Sequence, residues 1–184
     1  MRASLRLATL ALVAQTGLAH AQGASVMTSL LKDMKEVEEK VIGLAKAMPD
    51  ASWGWRPGTG VRSVGEVYQH IATDNYLLPA MLGTPAPSAT GIKGTDYKTA
   101  QAYETRKADR ASVMADLEAS FAFLRKAMEA QAAADLTKEI TVFGRKTTAQ
   151  ETWILTVTHL HEHLGQAIAY ARSNNVTPPW SRGG

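Results

Sequence analysis

The 184-residue sequence contains no cysteine. Disulfide bonds and a lipoprotein anchor are therefore excluded. A chain without thiols is also compatible with an oxidising compartment. The sequence also lacks an internal repeat, a low-complexity tract and a linker between domains. We therefore expect residues 22–184 to form one domain, which is long enough to bury a sizeable core.

The N-terminal segment, residues 1–21, has the composition of a secretory signal peptide. Arg2 and Arg6 give it a basic start, residues 7–13 form an apolar run, and residues 19–21 are a small-x-small cleavage site. The apolar run is too short to span a bilayer. We expect a periplasmic or secreted protein that keeps no stable membrane anchor after cleavage.

The charge of the chain argues against a nucleic-acid partner. Loss of residues 1–21 removes two arginines and no acidic residue, so the formal net charge falls from +3 to +1. A charge this small gives no electrostatic support for binding nucleic acid. The oligomeric state stays open, with a homodimer as one arrangement.

The dominant pattern of the mature chain is helical. Apolar residues recur at steps of three and four over residues 25–48, 64–81, 99–134 and 148–173, which predicts four amphipathic helices. Ser63 and Glu66 have the spacing of a capping box at the start of the second helix. These helices predict an all-α four-helix bundle.

The segments between the helices are distinct in composition. Residues 82–97 are rich in Gly, Pro, Ser and Thr, and their length favours a connection across the end of the bundle. Residues 139–147 alternate around a glycine, which indicates a small β-like excursion before the last helix. Residues 178–180 are expected to form an extended strap whose Trp180 packs on the bundle.

Two tryptophans, Trp53 and Trp55, lie in a Gly- and Pro-rich loop after the first helix. They have two plausible roles. They cap one end of the core, which is the interpretation we favour, or they line the mouth of a pocket in which Arg56 contacts an anion.

Three of the five histidines lie within residues 159–163 of the last predicted helix. His159 and His163 are one turn apart and about 40° apart around the helix, so their imidazoles can converge on one metal ion. His161 lies about 200° from His159, on the far side. The zinc-protease motif HExxH is excluded, because Glu162 does not directly follow His159. Leu155, Gln166 and Tyr170 share the face of the histidine pair.

A metal site needs at least one further ligand. His20 lies in the predicted signal peptide, so the remaining histidine is His70, which falls in the apolar stripe of the second helix with Asp74 one turn later. At this level other interpretations remain. His159 and His163 can be an ordinary solvated or core-edge pair, and His70 can be a core histidine with hydrogen-bonded ring nitrogens.

These features together resemble the DinB/YfiT-like superfamily of metal-dependent four-helix bundles, over nearly the whole mature chain. The resemblance is carried by a few short motifs: Trp55-Arg56-Pro57, Ser63-Val64, His70, and the HxxxHxGQ pattern of His159, His163, Gly165 and Gln166. In family members the second histidine of this pattern often has a histidine next to it. In this chain the neighbours of His163 are Glu162 and Leu164.

The resemblance implies an up-down-down-up bundle with a three-histidine site for a divalent metal, zinc or nickel, with His70, His159 and His163 as ligands. Some relatives transfer low-molecular-weight thiols such as bacillithiol or mycothiol, or are thiol-dependent isomerases, in the cytoplasm. An exported member leaves the use of a thiol open.

A three-imidazole site keeps the full charge of the metal and one open position, which suits a hydrolase or a thiol-dependent transferase acting on a small molecule. Asp74 is the candidate proton-transfer group. The alternative is a non-catalytic metal-binding or stress-associated protein.

We predict that the exported chain begins near Gln22, because Ala19 and Ala21 have the small side chains that a signal peptidase accepts. Mass spectrometry of the protein from the periplasmic or secreted fraction measures this directly. An exported protein that still begins at Met1 would contradict the prediction.

Overall fold

The computed structural model describes residues 2–181. For residues 2–22 and 24, which lie within the first helix, only the backbone is described. The signal-peptide prediction depends on side chains that lie outside this description, so it stays a prediction. The elements are α1 (Arg2–Ala47), α2 (Val64–Met81), α3 (Tyr97–Glu104), α4 (Arg110–Ala130), β1 (Glu139–Val142), β2 (Arg145–Thr148) and α5 (Ala149–Ser173).

The four long helices form a bundle in which α1 and α2 lie diagonally opposite each other. Each of them packs against both α4 and α5. The core between them is apolar and includes Val37, Leu44, Ile71, Phe121 and Trp153. The all-α prediction, with one small β excursion, is confirmed.

The direction of each helix follows from its cross-contacts. Ion pairs join Lys35 to Glu129 at 3.7 Å and Lys46 to Glu118 at 2.8 Å, so the numbering rises along α1 while it falls along α4. The two helices are therefore antiparallel. In contrast, α2 and α4 run in the same direction. Gln69 of α2 bonds to Arg106, just before α4, and Asn75, further along α2, bonds to Ser120 within α4.

The remaining pair, α2 and α5, is antiparallel, because His70 lies beside His163 and Asp74 lies beside His159. The order of directions is thus up, down, down, up, as expected. This order places the middle of α2 directly against the middle of α5.

The start of α2 is fixed by a capping box. The Ser63 hydroxyl accepts from the backbone N–H of Glu66 at 3.3 Å, and the Glu66 carboxylate accepts from the Ser63 N–H at 2.7 Å. The carbonyls of Trp53 and Trp55 accept from the N–H groups of Gly65 and Val64, each at 3.0 Å. These bonds give a partner to the backbone N–H groups at the start of α2, which have none within the helix.

The tryptophan loop closes one end of the bundle. Trp53 stacks on Tyr68 with ring centroids 5.5 Å apart, and Trp55 packs edge-on against Tyr170 at 5.3 Å. Both tryptophans pack against the core. Arg56 is engaged by Glu66 at 3.0 Å and by the Val61 carbonyl at 2.9 Å. The core-capping interpretation is confirmed.

The single helix predicted for residues 99–134 is wrong. The chain forms α3, breaks at residues 105–109, and restarts as α4 with Asp109 as its N-cap, which accepts from Ser112 N–H at 2.8 Å. An Asp at this position favours a new helix start, and its carboxylate competes with a continuous helix. The short α3 packs against α2 through Ala100, Tyr76 and Leu77.

The β excursion is a two-stranded antiparallel hairpin in which Glu139 pairs with Thr148 and Val142 pairs with Arg145. Its tip, Phe143-Gly144, has positive φ at both residues, 49° and 76°, as a tight hairpin turn requires. Thr148 ends the hairpin and caps α5, accepting from the Glu151 N–H at 3.2 Å. The excursion thus leads directly into the helix that carries the histidine pair.

The C-terminal segment ends in a short 3-10 turn, Pro179–Ser181, beside α1. The segment expected to be an extended strap thus ends in a 3-10 turn that packs on α1, with Trp180 42% exposed. Within the part of the chain that the structure describes, no helix has the length and apolar character that a membrane span requires.

We expect Gly65→Ala to destabilise the fold by about 1–3 kcal/mol, because overpacking a well-filled site has this cost. A Cβ at Gly65 would lie 2.4 Å from Nε1 of the Trp53 indole. The matched control is Gly43→Ala in α1, where a Cβ meets nothing within 4 Å, and we expect it to stabilise by up to about 1 kcal/mol. Urea unfolding measures both; equal effects of the two substitutions would contradict the prediction.

Candidate metal centre

Three histidines from two helices meet between α2 and α5. His70 comes from α2, and His159 and His163 come from α5. Their ring centroids are 4.4 to 5.2 Å apart, and one nitrogen from each ring lies within 4.8 Å of the other two. The three residues singled out in the sequence are thus brought together, although about 90 positions separate His70 from the pair.

The pair on α5 has the predicted one-turn geometry. The Nε2 atoms of His159 and His163 are 3.0 Å apart. Leu160 and Leu164, on the neighbouring face, are buried in the core and fix the rotation of the helix. Leu155, expected on the histidine face, is 44% exposed and does not pack into the core.

A chain of hydrogen bonds sets the tautomer of His163. Its Nδ1 lies 2.9 Å from Oε1 of Gln166, and the Gln166 amide donates to the Tyr170 hydroxyl at 3.1 Å. Tyr170 in turn donates to the backbone carbonyl of Arg62 at 3.2 Å. Because Oε1 of Gln166 can only accept, Nδ1 of His163 carries the proton. The lone pair on Nε2 is then directed at the cluster.

His161 lies on the other side of α5, as predicted. It is exposed, and its Nε2 is 3.0 Å from Asp33 of α1. Its ring is therefore directed away from the cluster and links two helices at the surface.

Asp74 lies between the histidines of the two helices. Its Oδ2 is 3.3 Å from Nε2 of His70 and 3.4 Å from Nε2 of His159. His70 itself is only 8% exposed. The proton-transfer candidate from the sequence is therefore in direct contact with two members of the cluster.

A second carboxylate, Glu104, joins the site from the end of α3 and was not identified from the sequence. Its Oε1 lies 3.2 Å from Nδ1 of His70 and accepts two bonds from Arg62, at 3.0 Å from Nε and 2.7 Å from Nη2. No spacing rule links Arg62 and Glu104 to His70. Arg62 lies just before the predicted second helix, but Glu104 lies inside the predicted helix 99–134, so nothing in the sequence singled it out.

Burial favours the neutral form of the His159 and His163 imidazoles. Desolvation, reinforced by the neighbouring His163 and His70, lowers the pKa of His159 to about 4. Desolvation also lowers the pKa of His163, although its bond to Gln166 works in the opposite direction. Both rings therefore present unprotonated nitrogens at neutral pH.

The two carboxylates respond to the site in opposite ways. Burial raises the pKa of Asp74 to about 6, against the attraction of His70. Burial also acts to raise the pKa of Glu104, but the bonds and charges of His70 and Arg62 outweigh it and lower that pKa to about 2. Asp74 is thus poised to exchange a proton, whereas Glu104 stays ionised.

The donor set fits a divalent metal ion. Neutral imidazoles are common ligands of zinc, and two nitrogens bound to one zinc ion at about 2.0–2.1 Å are roughly 3.3 Å apart. The nitrogens of the cluster lie within 4.8 Å of one another, so small side-chain movements would bring them onto one ion. The three histidines form a group that could hold a metal ion.

A family model for the DinB superfamily matches residues 33–167, which include all three histidines. The chain belongs to the DinB superfamily. The recognition from sequence motifs is thus confirmed. A search of curated proteins found no match.

Solved structures of DinB-like proteins have the same fold. The chain resembles a DinB-like protein from Bacillus cereus, with a TM-score of 0.62, 20% identity and coverage of 82% of this chain and 93% of that one. For a DinB-like protein from Bacillus subtilis the TM-score is 0.61 and the identity 18%, with 81% of this chain and 93% of that one covered. For a conserved protein from Enterococcus faecalis the TM-score is 0.65 and the identity 17%, with 79% of this chain and 94% of that one covered. At these identities the likeness shows the fold.

We expect the His159 ring of the metal-free DinB-superfamily protein to remain neutral at pH 5.5, because its pKa is lowered to about 4. In the unfolded chain the same ring has a pKa of about 6.5 and takes up a proton first, so this group lowers the free energy of unfolding as the pH falls from about 6.5 to about 4. Histidine ring shifts in an NMR titration measure the pKa. A midpoint for His159 near pH 6.5 would contradict the prediction.

Proposed function

We propose that this DinB-superfamily protein is an exported, metal-dependent enzyme that acts on a small molecule. The observation that carries the proposal is the convergence of His70, His159 and His163 between α2 and α5, with Asp74 in contact with two of them. In this proposal the three histidines hold the metal. Zinc or nickel suits a set of imidazole ligands.

The ion would supply Lewis-acid activation of water or a thiol, which is the chemistry of sites with three protein ligands and an open position. The chain supplies the rest. Desolvation keeps His159 and His163 unprotonated and ready to bind, and Gln166 orients His163.

Asp74 is the group that would accept or return a proton at the reacting centre. Its pKa, raised to about 6 by burial, is close to neutral pH, where a general acid or base works most effectively. Its Oδ2 contacts Nε2 of both His70 and His159. Hydrolysis and thiol-dependent transfer both need such a group.

We expect zinc or nickel to raise the melting temperature of the metal-free wild type by several degrees, since an ion that binds the folded state alone stabilises it by mass action. His70→Ala, His159→Ala and His163→Ala should each lose most of that rise, because the three side chains bind one ion as a unit. Calorimetry with each metal, together with elemental analysis of protein purified from its own compartment, measures the effect.

The matched control is His161→Ala on the same helix. It removes an exposed imidazole directed at Asp33, so the metal content should be unchanged. If His70→Ala still bound one ion per chain with wild-type affinity, the site would be local to α5 and the proposal would be wrong.

Turnover of esters, epoxides and thiol conjugates by the metal-loaded protein distinguishes a hydrolase from a thiol-dependent transferase. Asp74→Asn retains the shape of the side chain and removes its basicity, so it should bind the metal but lose activity over the whole panel. A protein that binds metal and turns over none of these compounds would instead be a non-catalytic metal-binding protein.

A further inference from the structure

Glu104 reaches the histidine cluster from outside the four-helix bundle. It is the last residue of α3, and its side chain is only 17% exposed. Its Oε1 lies 3.2 Å from Nδ1 of His70, whereas the other ring nitrogen, Nε2, lies 3.3 Å from Oδ2 of Asp74. The two nitrogens of His70 therefore have different partners.

Arg62 also approaches Nδ1 of His70, with its Nη2 at 3.2 Å. A guanidinium can only donate and a carboxylate can only accept, so the two neighbours favour opposite tautomers of the ring. The Arg62 donors lie closer to Glu104, at 2.7 and 3.0 Å, than to His70. Glu104, whose Oε1 engages Arg62, is thus the acceptor beside Nδ1 of His70, while Oδ2 of Asp74, at 3.3 Å, is the acceptor beside Nε2.

The backbone of Glu104 is held by the residue next to His70. The side-chain amide of Gln69 donates to the carbonyls of Glu104 at 2.5 Å and Arg106 at 3.0 Å. Gln69 is buried, and these carbonyls lie where α3 ends and the helix no longer supplies donors. Adjacent residues of α2 thus fix both the main chain and the carboxylate of Glu104.

We propose that Glu104 is a positioning residue for the metal centre. It offers a carboxylate acceptor to Nδ1 of His70, which favours the tautomer whose Nε2 is free to bind the ion, while Arg62 holds the carboxylate in place. Gln166 does the same for His163 from the other helix. Carboxylates that orient a metal-bound histidine in this way contribute about 10–100-fold to metal affinity. This inference rests on the metal site proposed above.

The test uses the full mature chain and two variants, Glu104→Ala and Glu104→Gln. Glu104→Ala should weaken zinc binding about 10–100-fold at unchanged saturating stoichiometry, because the three imidazoles remain. Glu104→Gln keeps a carbonyl acceptor of lower strength, so it should recover part of the loss. Competition with a chromophoric chelator measures affinity, and Glu104→Gln carries the test if the alanine variant does not fold.

The second measurement needs no metal and no activity. Nitrogen-15 shifts of the His70 ring at pH 7 report which nitrogen carries the proton. We expect the share of the Nδ1–H tautomer in the metal-free protein to be smaller in Glu104→Ala than in the wild type, since Arg62 then faces Nδ1 without its carboxylate while Asp74 still accepts at Nε2. A wild type that bound no metal would refute the proposed function, yet this arm would still decide the role of Glu104.

The matched control is Glu38→Gln. Glu38 is 15% exposed and accepts from Arg125 at 2.8 Å, so it is an equally buried carboxylate in an arginine pair, but it joins α1 to α4. It should lower the unfolding free energy without changing zinc affinity or the His70 tautomer. Unchanged affinity and an unchanged tautomer in folded Glu104→Ala would overturn the inference.

Discussion

The desolvation of several titratable groups in the contact between α2 and α5 is the constraint on which the site depends. Buried imidazoles and carboxylates are stable only if each polar atom has a partner. His163 has Gln166, His70 has Glu104, and Asp74 contacts two rings at once. Gln166 in turn bonds to Tyr170, whose hydroxyl donates to the carbonyl of Arg62 just before α2. The hydrogen bonds that hold the site therefore reach the start of that helix.

The sequence predicts much of this arrangement because helical geometry is local. Steps of three and four locate the helices, the spacing of Ser63 and Glu66 gives the cap, and the four-residue spacing of His159 and His163 puts both on one face. The third histidine is different. His70 is an ordinary core position by pattern; it became a candidate because His20 was set aside, and the family resemblance then assigned it to the site.

The sequence could not predict the groups that approach from α3. Glu104 belongs to a short helix hidden within a longer run of helix-forming residues, and the break after it depends on Asp109 and on the amide of Gln69. Contacts between residues 34 to 42 positions apart are decided by packing, which no local periodicity encodes. The error in the predicted third helix and the missing carboxylate therefore have the same cause.

The up-down-down-up order has a consequence for how the centre would assemble. Its ligands belong to α2 and to α5, the last helix of the chain, and meet only after the two have docked. An ion that needs all three imidazoles therefore binds a chain in which these two helices are already paired. The metal centre thus reports on the docking of α5, the part of the described bundle that is completed last along the sequence.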